Sequence, residues 1–271
     1  MTIGILGSHY PKHFSKYIQH LIKKLENEHI KIIIEQEFHE FLINDIRINT
    51  KFRTFKTYTD LIDNIDFLFS IGGDGTLLRA VTYVRDAEIP ILGINTGRLG
   101  FISSISADQI DEAINDIIKN NYTIKDRSLL ELQTEKELFK TKNFALNEVA
   151  VSKKDTSSMI RIDAFVDNEF LNTYWADGLV VSTPTGSTGY SLSCGGPIIM
   201  PGTNNIVITP NAPHNLNVRP IVISDNSIIK LKVEDRDQLA LVSLDSRSRA
   251  FDSMTELTIR KASFKIKLVE P

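Results

Sequence analysis

An acidic side chain lies among three glycines in residues 72–76, which read GGDGT and separate an apolar run from a helical pattern. Glycines let backbone N–H groups approach phosphate oxygens, and the start of a helix adds partial positive charge. A carboxylate in such a loop repels an anion, so Asp74 needs another role, either metal binding or removal of a proton. The segment matches neither the Walker loop nor the GxGxxG fingerprint. It predicts a reactive phosphate site, and a tight strand-to-helix turn is the alternative.

A second segment is rich in hydroxyl groups and glycines: residues 182–201 read STPTGSTGYSLSCGGPIIMP. Such a composition is typical of a linker, but apolar runs on both sides predict that this one is anchored at each end. Its hydroxyls and bare backbone then form an array of donors and acceptors suited to phosphates and sugar hydroxyls. Tyr190 is placed to cover a planar base.

Two adjacent polar residues, Asn147 and Glu148, interrupt the apolar run ALNEVAV. The solvent face of a strand is the ordinary explanation for such a pair. Because two nucleotide-like segments occur in the same chain, we also consider the pair a candidate for contacts with ribose hydroxyls or base edges.

Taken in order, these motifs resemble the NAD kinase family. The shared motifs are GGDGT, NTGRLGF at 95–101, Asn147-Glu148, Asp177-Gly178 followed by STPTGSTGYSLSCGGP, and TPNAPHNLNVRPIV from Thr209. The resemblance spans roughly residues 66–250, and the hydroxyl-rich segment is its most specific part. It implies transfer of the γ-phosphate of ATP to the adenosine ribose 2′-hydroxyl of NAD, which makes NADP. It also implies a divalent metal, Mg²⁺, and a homodimer or homotetramer.

The resemblance assigns roles to individual residues. Asp74 matches the proton acceptor, Gly75 and Arg79 line the same site, and Asn147 and Glu148 match the pair that holds the dinucleotide. The positions that match adenine and ribose contacts, together with one further NAD contact, are Asp177, Thr188, Gly189, Tyr190, Ser191, Leu192, Ser193 and Ala212. No protein ligand of the metal is assigned.

Three positions depart from the family pattern. Trp175 stands where some members have Arg, Gly189 replaces a common Ala, and Arg247 stands where many have Gln. These departures concern recognition of the second nucleotide half and the choice between NAD and NADH.

The first half of the chain must position the glycine-rich turn, and it alternates short apolar strands with helical patterns. This alternation predicts an α/β domain, an open and mostly parallel sheet with flanking helices. The runs that predict strands are 3–6, 31–35, 67–71 and 91–94. Helices are predicted from Phe14 to about Glu28, from Thr76 as N-cap, and over residues 110–118.

From about residue 125 the apolar period changes to two, which predicts an all-β domain resembling an antiparallel sandwich. Alternation is clearest at 160–166, 229–233, 240–244 and 264–268. We therefore predict an α/β domain over 1–125 and an all-β dinucleotide-binding domain over 126–256. The alternative assignment of the last strand, 257–271, is that it packs on the first domain.

Composition excludes several classes of protein. Lys and Arg number 31 against 34 Asp and Glu, a formal charge of −3 spread along the chain, which argues against partners such as nucleic acid or a membrane surface. No apolar run approaches the roughly 20 residues needed to cross a bilayer, and the start lacks the pattern of a signal peptide. The single Cys194 excludes an internal disulfide, so we expect a cytoplasmic location.

Two other functions share some of these motifs. GGDG also occurs in lipid kinases of the diacylglycerol type and in phosphofructokinases, so a kinase of a lipid or sugar phosphate is one alternative. A lipid acceptor requires an apolar channel, whereas residues 182–196 are polar. The other alternative is a non-catalytic NAD sensor, which the presence of Asp74 disfavours.

Overall fold

The chain forms two compact units in a computed structural model. One unit is Met1–Asp126 together with Lys265–Pro271, and the other is Arg127–Phe264. The predicted division into an α/β domain over 1–125 and an all-β domain over 126–256 stays a prediction. The structure describes residues 1–8, 10, 14–46, 51–97, 100–102, 105–154, 158–234 and 239–271.

The first unit contains a parallel sheet. Its strands are β1 (Thr2–Gly7), β2 (Lys31–Glu35), β3 (Arg53–Phe55), β4 (Phe67–Gly72) and β5 (Ile91–Asn95). They lie in the order β3-β2-β1-β4-β5, and each neighbouring pair is parallel. The carboxyl ends of β1 and β4 therefore meet at one edge, where open α/β sheets bind ligands.

The described residues of this unit also form the α-helices α1 (Ser15–Asn27), α2 (Gln36–Ile46), α3 (Tyr58–Leu61), α4 (Asp74–Val84) and α5 (Ile110–Ile118). The apolar faces expected of α1 and α5 are buried except for Ile118 at the end of α5. This burial and the parallel sheet confirm the α/β class of this half. The prediction that Thr76 caps a helix is wrong. Because β4 turns directly into the helix at Gly72, α4 begins at Asp74 with Gly73 at its N-cap, and the Thr76 hydroxyl instead donates to Ser8 Oγ at 3.0 Å.

The second unit is built from antiparallel strands, as predicted. Its elements are β6 (Thr123–Gln133, which begins in the first unit), β7 (Phe144–Ala145), β8 (Glu148–Lys153), β9 (Ile160–Val166), β10 (Glu169–Ala176), β11 (Gly178–Ser182), α6 (Tyr190–Ser193), β12 (Asn205–Asn211), β13 (Ile221–Ser224), β14 (Ile229–Glu234), β15 (Leu239–Leu244), β16 (Arg247–Asp252) and β17 (Leu257–Glu270).

These strands form two layers. One has the order β13-β12-β11-β8-β15-β16 and the other contains β10-β9-β14-β17. Apolar side chains from both layers share one buried core, the arrangement of a β-sandwich. The end of β17 belongs to the first unit, where Leu268 pairs in parallel with Ile91 of β5. Within the described residues, no helix combines the length and apolar character needed to cross a membrane.

Candidate functional site

The turn between β4 and α4 exposes its backbone. Gly72 has a φ of +156°, and a Cβ there would lie 2.2 Å from Thr76 Oγ1, so this position requires glycine. By contrast, no atom of the described residues lies within 4 Å of where a Cβ would stand on Gly73 or Gly75. The N-terminus of α4 therefore opens onto free space, which is the geometry of an anion-binding turn.

Asp74 is the first residue of α4, and backbone groups orient its carboxylate. Oδ2 accepts the N–H of Phe101 at 3.0 Å, and Oδ1 accepts that of Ile102 at 3.4 Å. A Cβ on Gly100 would lie 2.2 Å from Asp74 Oδ1, so the carboxylate packs directly against this glycine. Residues 100–102 thus fix the direction of the side chain predicted to accept a proton.

Arg79 lies one turn further along α4, and its guanidinium is occupied by protein groups. It donates to the carbonyl of Gly7 and lies 3.7 Å from a carboxylate oxygen of both Glu35 and Glu37. Glu35 is buried, with 2% of its surface exposed, and also accepts the N–H of Phe38 at 3.0 Å. Asp74, Gly75 and Arg79 therefore share the first two turns of one helix, with Arg79 tied to the end of β1.

In the second unit, Asn147 and Glu148 form a corner between β7 and β8 whose backbone is held from two sides. The N–H groups of Leu146, Asn147 and Glu148 donate to the carboxylate of Asp245 at 3.0, 2.8 and 3.3 Å. On the carbonyl side, the Thr183 hydroxyl donates to Leu146 O at 2.6 Å and the Thr183 N–H donates to Asn147 O at 2.9 Å. The two candidate side chains thus project from a fixed backbone.

The same side chains carry unpaired acceptors. Asn147 Oδ1 and Glu148 Oε2 are buried and have no hydrogen-bond partner among the described residues. Burial first, and then the charge of Asp245, raise the pKa of Glu148 to about 7, against a smaller lowering by the N–H of Tyr190. Buried polar groups are almost always paired, so two orphaned acceptors side by side indicate a place where ligand donors bind.

The hydroxyl-rich segment lies against this corner. A 3₁₀ turn at Thr185–Thr188 leads into α6. The Cα of Gly189 approaches the pair so closely that a Cβ would lie 3.1 Å from Glu148 Oε2. The structure therefore brings Asn147, Glu148 and Gly189 together.

Several hydroxyls of this segment are used internally. Thr188 Oγ1 donates to Thr185 O at 3.2 Å, and Ser191 Oγ bonds the buried Thr209 hydroxyl at 2.9 Å. Leu192 and Ser193 are exposed. The structure thus gives Thr188 and Ser191 a role in shaping the segment.

Asp177, Tyr190 and Ala212 converge on Asn211, at the end of β12. The N–H of Asp177 donates to Asn211 O at 3.0 Å, and Asn211 Nδ2 donates to the Tyr190 hydroxyl at 2.9 Å. Lys153 Nζ lies 2.7 Å from the Asp177 carboxylate. Ala212 follows Asn211 directly, is exposed and has a φ of +46°.

The positions that depart from the family pattern differ in setting. Trp175 is on β10 with 53% of its surface exposed. Arg247 donates to the carbonyls of Lys142 and Phe144 and lies 3.8 Å from Asp245. Arg247 therefore supports the backbone next to the Asn147–Glu148 corner.

Sequence reasoning missed three residues of these sites: Gly100, Thr183 and Asp245. Asp245 follows directly after the alternating apolar strand pattern at 240–244, and an Asp in such a turn is too common to indicate a functional role. The other two positions carried no signal beyond their place in glycine-rich or hydroxyl-rich segments.

The described residues do not fit a metal ion held by the protein alone. Among them, no group of three or more His, Cys, Asp or Glu side chains is arranged to bind a metal. Mg²⁺ commonly binds through substrate phosphates and water, with one or two carboxylates.

Family models match most of the chain. Residues 3–122 match the N-terminal domain of ATP-NAD kinase, and residues 146–271 match the C-terminal domain. The chain is 45% identical to an NAD kinase of Christiangramia forsetii and 48% identical to one of Flavobacterium psychrophilum. Each alignment covers 100% of this chain and 92% of the relative.

Solved structures share the fold. A yeast NADH kinase complexed with NADH has a TM-score of 0.87 at 24% identity, covering 100% of this chain and 83% of that one. An NAD kinase from Archaeoglobus fulgidus in complex with ATP has a TM-score of 0.79 at 25% identity, covering 99% and 93%.

Proposed function

Because the chain belongs to the NAD kinase family, we propose that it transfers the γ-phosphate of ATP to the adenosine ribose 2′-hydroxyl of NAD and makes NADP. The observation that carries the proposal is the pair of orphaned acceptors at Asn147 and Glu148. Ribose hydroxyls and amide N–H groups are donors that satisfy such acceptors.

In this reaction Asp74 is the proton acceptor. As the 2′-oxygen bonds to the γ-phosphorus and the bond to the leaving ADP oxygen breaks, the hydroxyl proton passes to the Asp74 carboxylate. Two backbone N–H groups orient that carboxylate before substrate arrives, and its packing against Gly100 limits its movement. Phosphoryl transfer depends mainly on positioning and charge, and general-base help contributes a factor of about 10² to 10⁴.

Phosphate binding is assigned to the open turn before α4, where Gly75 adds bare backbone beside Asp74. Arg79 adds positive charge at the same helix end, balanced by Glu35 and Glu37. A bound Mg²⁺ supplies charge neutralisation of the triphosphate.

The dinucleotide is assigned to the second unit. Asn147 and Glu148 bind it through their side-chain oxygens, and Tyr190, with 41% of its surface exposed, offers a ring face to a base. The other contacts that we propose are Asp177, Thr188, Gly189, Ser191, Leu192, Ser193 and Ala212. The Mg²⁺ requirement and the homodimeric or homotetrameric state remain predictions from the resemblance. The cytoplasmic location remains a prediction from the single cysteine.

The test is chromatographic detection of the product. The purified chain is incubated with Mg-ATP in four separate reactions, each with one acceptor: NAD, NADH, a diacylglycerol in micelles or fructose 6-phosphate. NADP formed from NAD, with no phosphorylated lipid or sugar, supports the proposal. A phosphorylated lipid or sugar instead would favour the other kinase class, and calorimetric NAD binding without NADP would indicate a sensor.

A further inference from the structure

Asp245 holds the corner that carries Asn147 and Glu148, although it lies almost 100 residues further along the chain. Its two carboxylate oxygens together accept three successive backbone N–H groups, those of Leu146, Asn147 and Glu148. Only 3% of its side chain is exposed, so these contacts are sheltered from water. A ligand therefore meets the two candidate side chains and not Asp245.

We propose that Asp245 is a positioning residue of the dinucleotide site, which aims Asn147 and Glu148 at NAD without touching it. The inference rests on the proposed function, because it requires that these two side chains bind NAD.

The hairpin between β15 and β16 places Asp245 against this corner. Leu244 of β15 pairs with Arg247 of β16, which leaves a two-residue connection of Asp245 and Ser246. Asp245 adopts a φ of +53°, in the left-handed region that Asp tolerates better than most residues. Its own N–H donates to Glu148 O at 3.0 Å, so the turn and the corner are joined in both directions.

The three donors require a carboxylate. Each donor is an N–H group, and a carboxylate offers acceptors on both oxygens, whereas an amide would direct its own N–H₂ at one of them. Arg247 lies 3.8 Å from Asp245 and is itself fixed by two carbonyls, so it places positive charge beside the buried carboxylate. An asparagine keeps the shape of Asp245 but loses one acceptor and the charge.

Asp245 also acts on Glu148 through its charge. The groups that face Glu148 are Asp245 from the hairpin, with Arg247 behind it, and Tyr190 and Cys194 from α6 and the residue after it. The negative charge of Asp245 raises the pKa of Glu148 by favouring its neutral form. Removing this charge should therefore lower that pKa, while loss of a purely structural contact elsewhere would not.

The test compares Asp245→Asn with Asp225→Asn. Asp225 is also buried, in the same unit, and pairs with Lys261, so its amide variant loses a comparable buried charge away from the corner. For Asp245→Asn we expect the KM for NAD to rise about tenfold to hundredfold with kcat within about threefold, because misplaced binding groups cost about that much. From the pKa of Glu148 we expect the pH midpoint of NAD affinity to lie near 7 in the parent protein. It should move to lower pH in Asp245→Asn and stay in place in Asp225→Asn.

The proposal would be overturned if Asp245→Asn had the same KM for NAD and the same pH midpoint of NAD affinity as the parent protein, with a melting temperature like that of Asp225→Asn. If Asp245→Asn does not fold, Thr183→Val replaces it, because valine keeps the shape of Thr183 and removes the hydroxyl that holds Leu146 from the other side. A normal KM for NAD in that variant counts equally against positioning. NAD affinity is also measured by calorimetry in each variant and in the parent protein. If the parent protein forms no NADP, the proposed function is wrong. If the parent protein forms NADP but Asp245→Asn binds NAD as tightly as the parent does, only the positioning role of Asp245 is wrong.

Discussion

Two carboxylates in the two units are prepared for a ligand in opposite ways. The Asp74 carboxylate accepts backbone N–H groups of Phe101 and Ile102, so the protein already orients it. Glu148 lies in a corner whose backbone is fixed, yet its Oε2 and the neighbouring Asn147 Oδ1 lack partners among the described residues. Within the described residues, the protein pairs the first carboxylate and leaves acceptors at the second site unpaired.

The proposed function accounts for the difference, because it gives Asp74 the role of proton acceptor and Glu148 that of a binding group. A proton acceptor must point in one direction before the reaction, and fixed N–H donors provide that orientation. A binding group gains most when its hydrogen bonds form only with the ligand, and leaving a buried acceptor unpaired until then costs about 1–3 kcal/mol. An orphaned buried acceptor is therefore a better guide to a binding surface, and a well-satisfied, half-buried carboxylate such as that of Asp74 is a better guide to chemistry.

The largest expected effect is that of Asp74→Asn on turnover. The amide cannot accept the hydroxyl proton, so we expect kcat to fall by about 10² to 10⁴ while the affinity for NAD measured by calorimetry changes less than threefold. Asp60→Asn is the matched control, because Asp60 also accepts two backbone N–H groups, at 2.9 and 2.8 Å, at the start of another helix of the same unit. Near-normal turnover of Asp74→Asn would remove the distinction between the two carboxylates.

The sequence predicted Asp74 and the Asn147–Glu148 pair because their types are unusual where they stand. A carboxylate inside a glycine turn and two polar residues within an apolar run both demand a reason that local structure does not supply. The position of Asp245 needs no functional explanation, because Asp is common in two-residue turns. Its contact with Asn147 joins residues that are 98 positions apart in the sequence. Long-range hydrogen bonds of this kind become visible only when the sheet order is known.

The fold shows the same limit. Strand β2 was predicted at its observed bounds because a buried apolar run ends sharply at charged residues. Helix α2 was not predicted, because Phe38 and Leu42 are its buried residues and such a narrow apolar face gives a weak pattern. The start of α4 was misplaced because Thr is a common N-cap, whereas the backbone freedom of Gly72 and Gly73 decides where this helix begins.

A smaller effect is expected from Gly100→Ala, which disturbs the orientation of Asp74 without changing its chemistry. The added methyl would lie 2.2 Å from Asp74 Oδ1, so the carboxylate must turn away from Phe101 and Ile102. We expect kcat to fall about tenfold to hundredfold, with the affinity for NAD unchanged. Gly97→Ala is the control, since the nearest described atom to a methyl there is Asn95 Oδ1, at 4.0 Å. Equal turnover of the two variants would show that this orientation is unimportant.

The smallest effect concerns Glu148→Gln and appears as a change in pH dependence. Because the pKa of Glu148 is about 7 in the folded protein against 4.5 ordinarily, its protonation stabilises the fold. That contribution is fully present below about pH 4.5 and is lost as pH rises through about 7, an effect of about 3 kcal/mol at most. Thermal unfolding of the ligand-free protein should therefore show falling stability between about pH 5 and 8, and Glu148→Gln should flatten this fall.

NAD binding should respond in the opposite sense. The ionised carboxylate is the stronger acceptor for hydroxyl donors, so the affinity of the parent protein should rise through about pH 7, by about tenfold, while that of Glu148→Gln stays level. Glu234→Gln is the control, because Glu234 is exposed and paired with Arg161 at 2.9 Å. A variant that is more stable at pH 8 yet binds NAD less tightly would show that the unpaired acceptor is kept for the ligand at the expense of the fold. If Glu148→Gln binds NAD as the parent does at pH 8, the orphaned acceptors do not mark the binding surface, and the contrast with Asp74 fails.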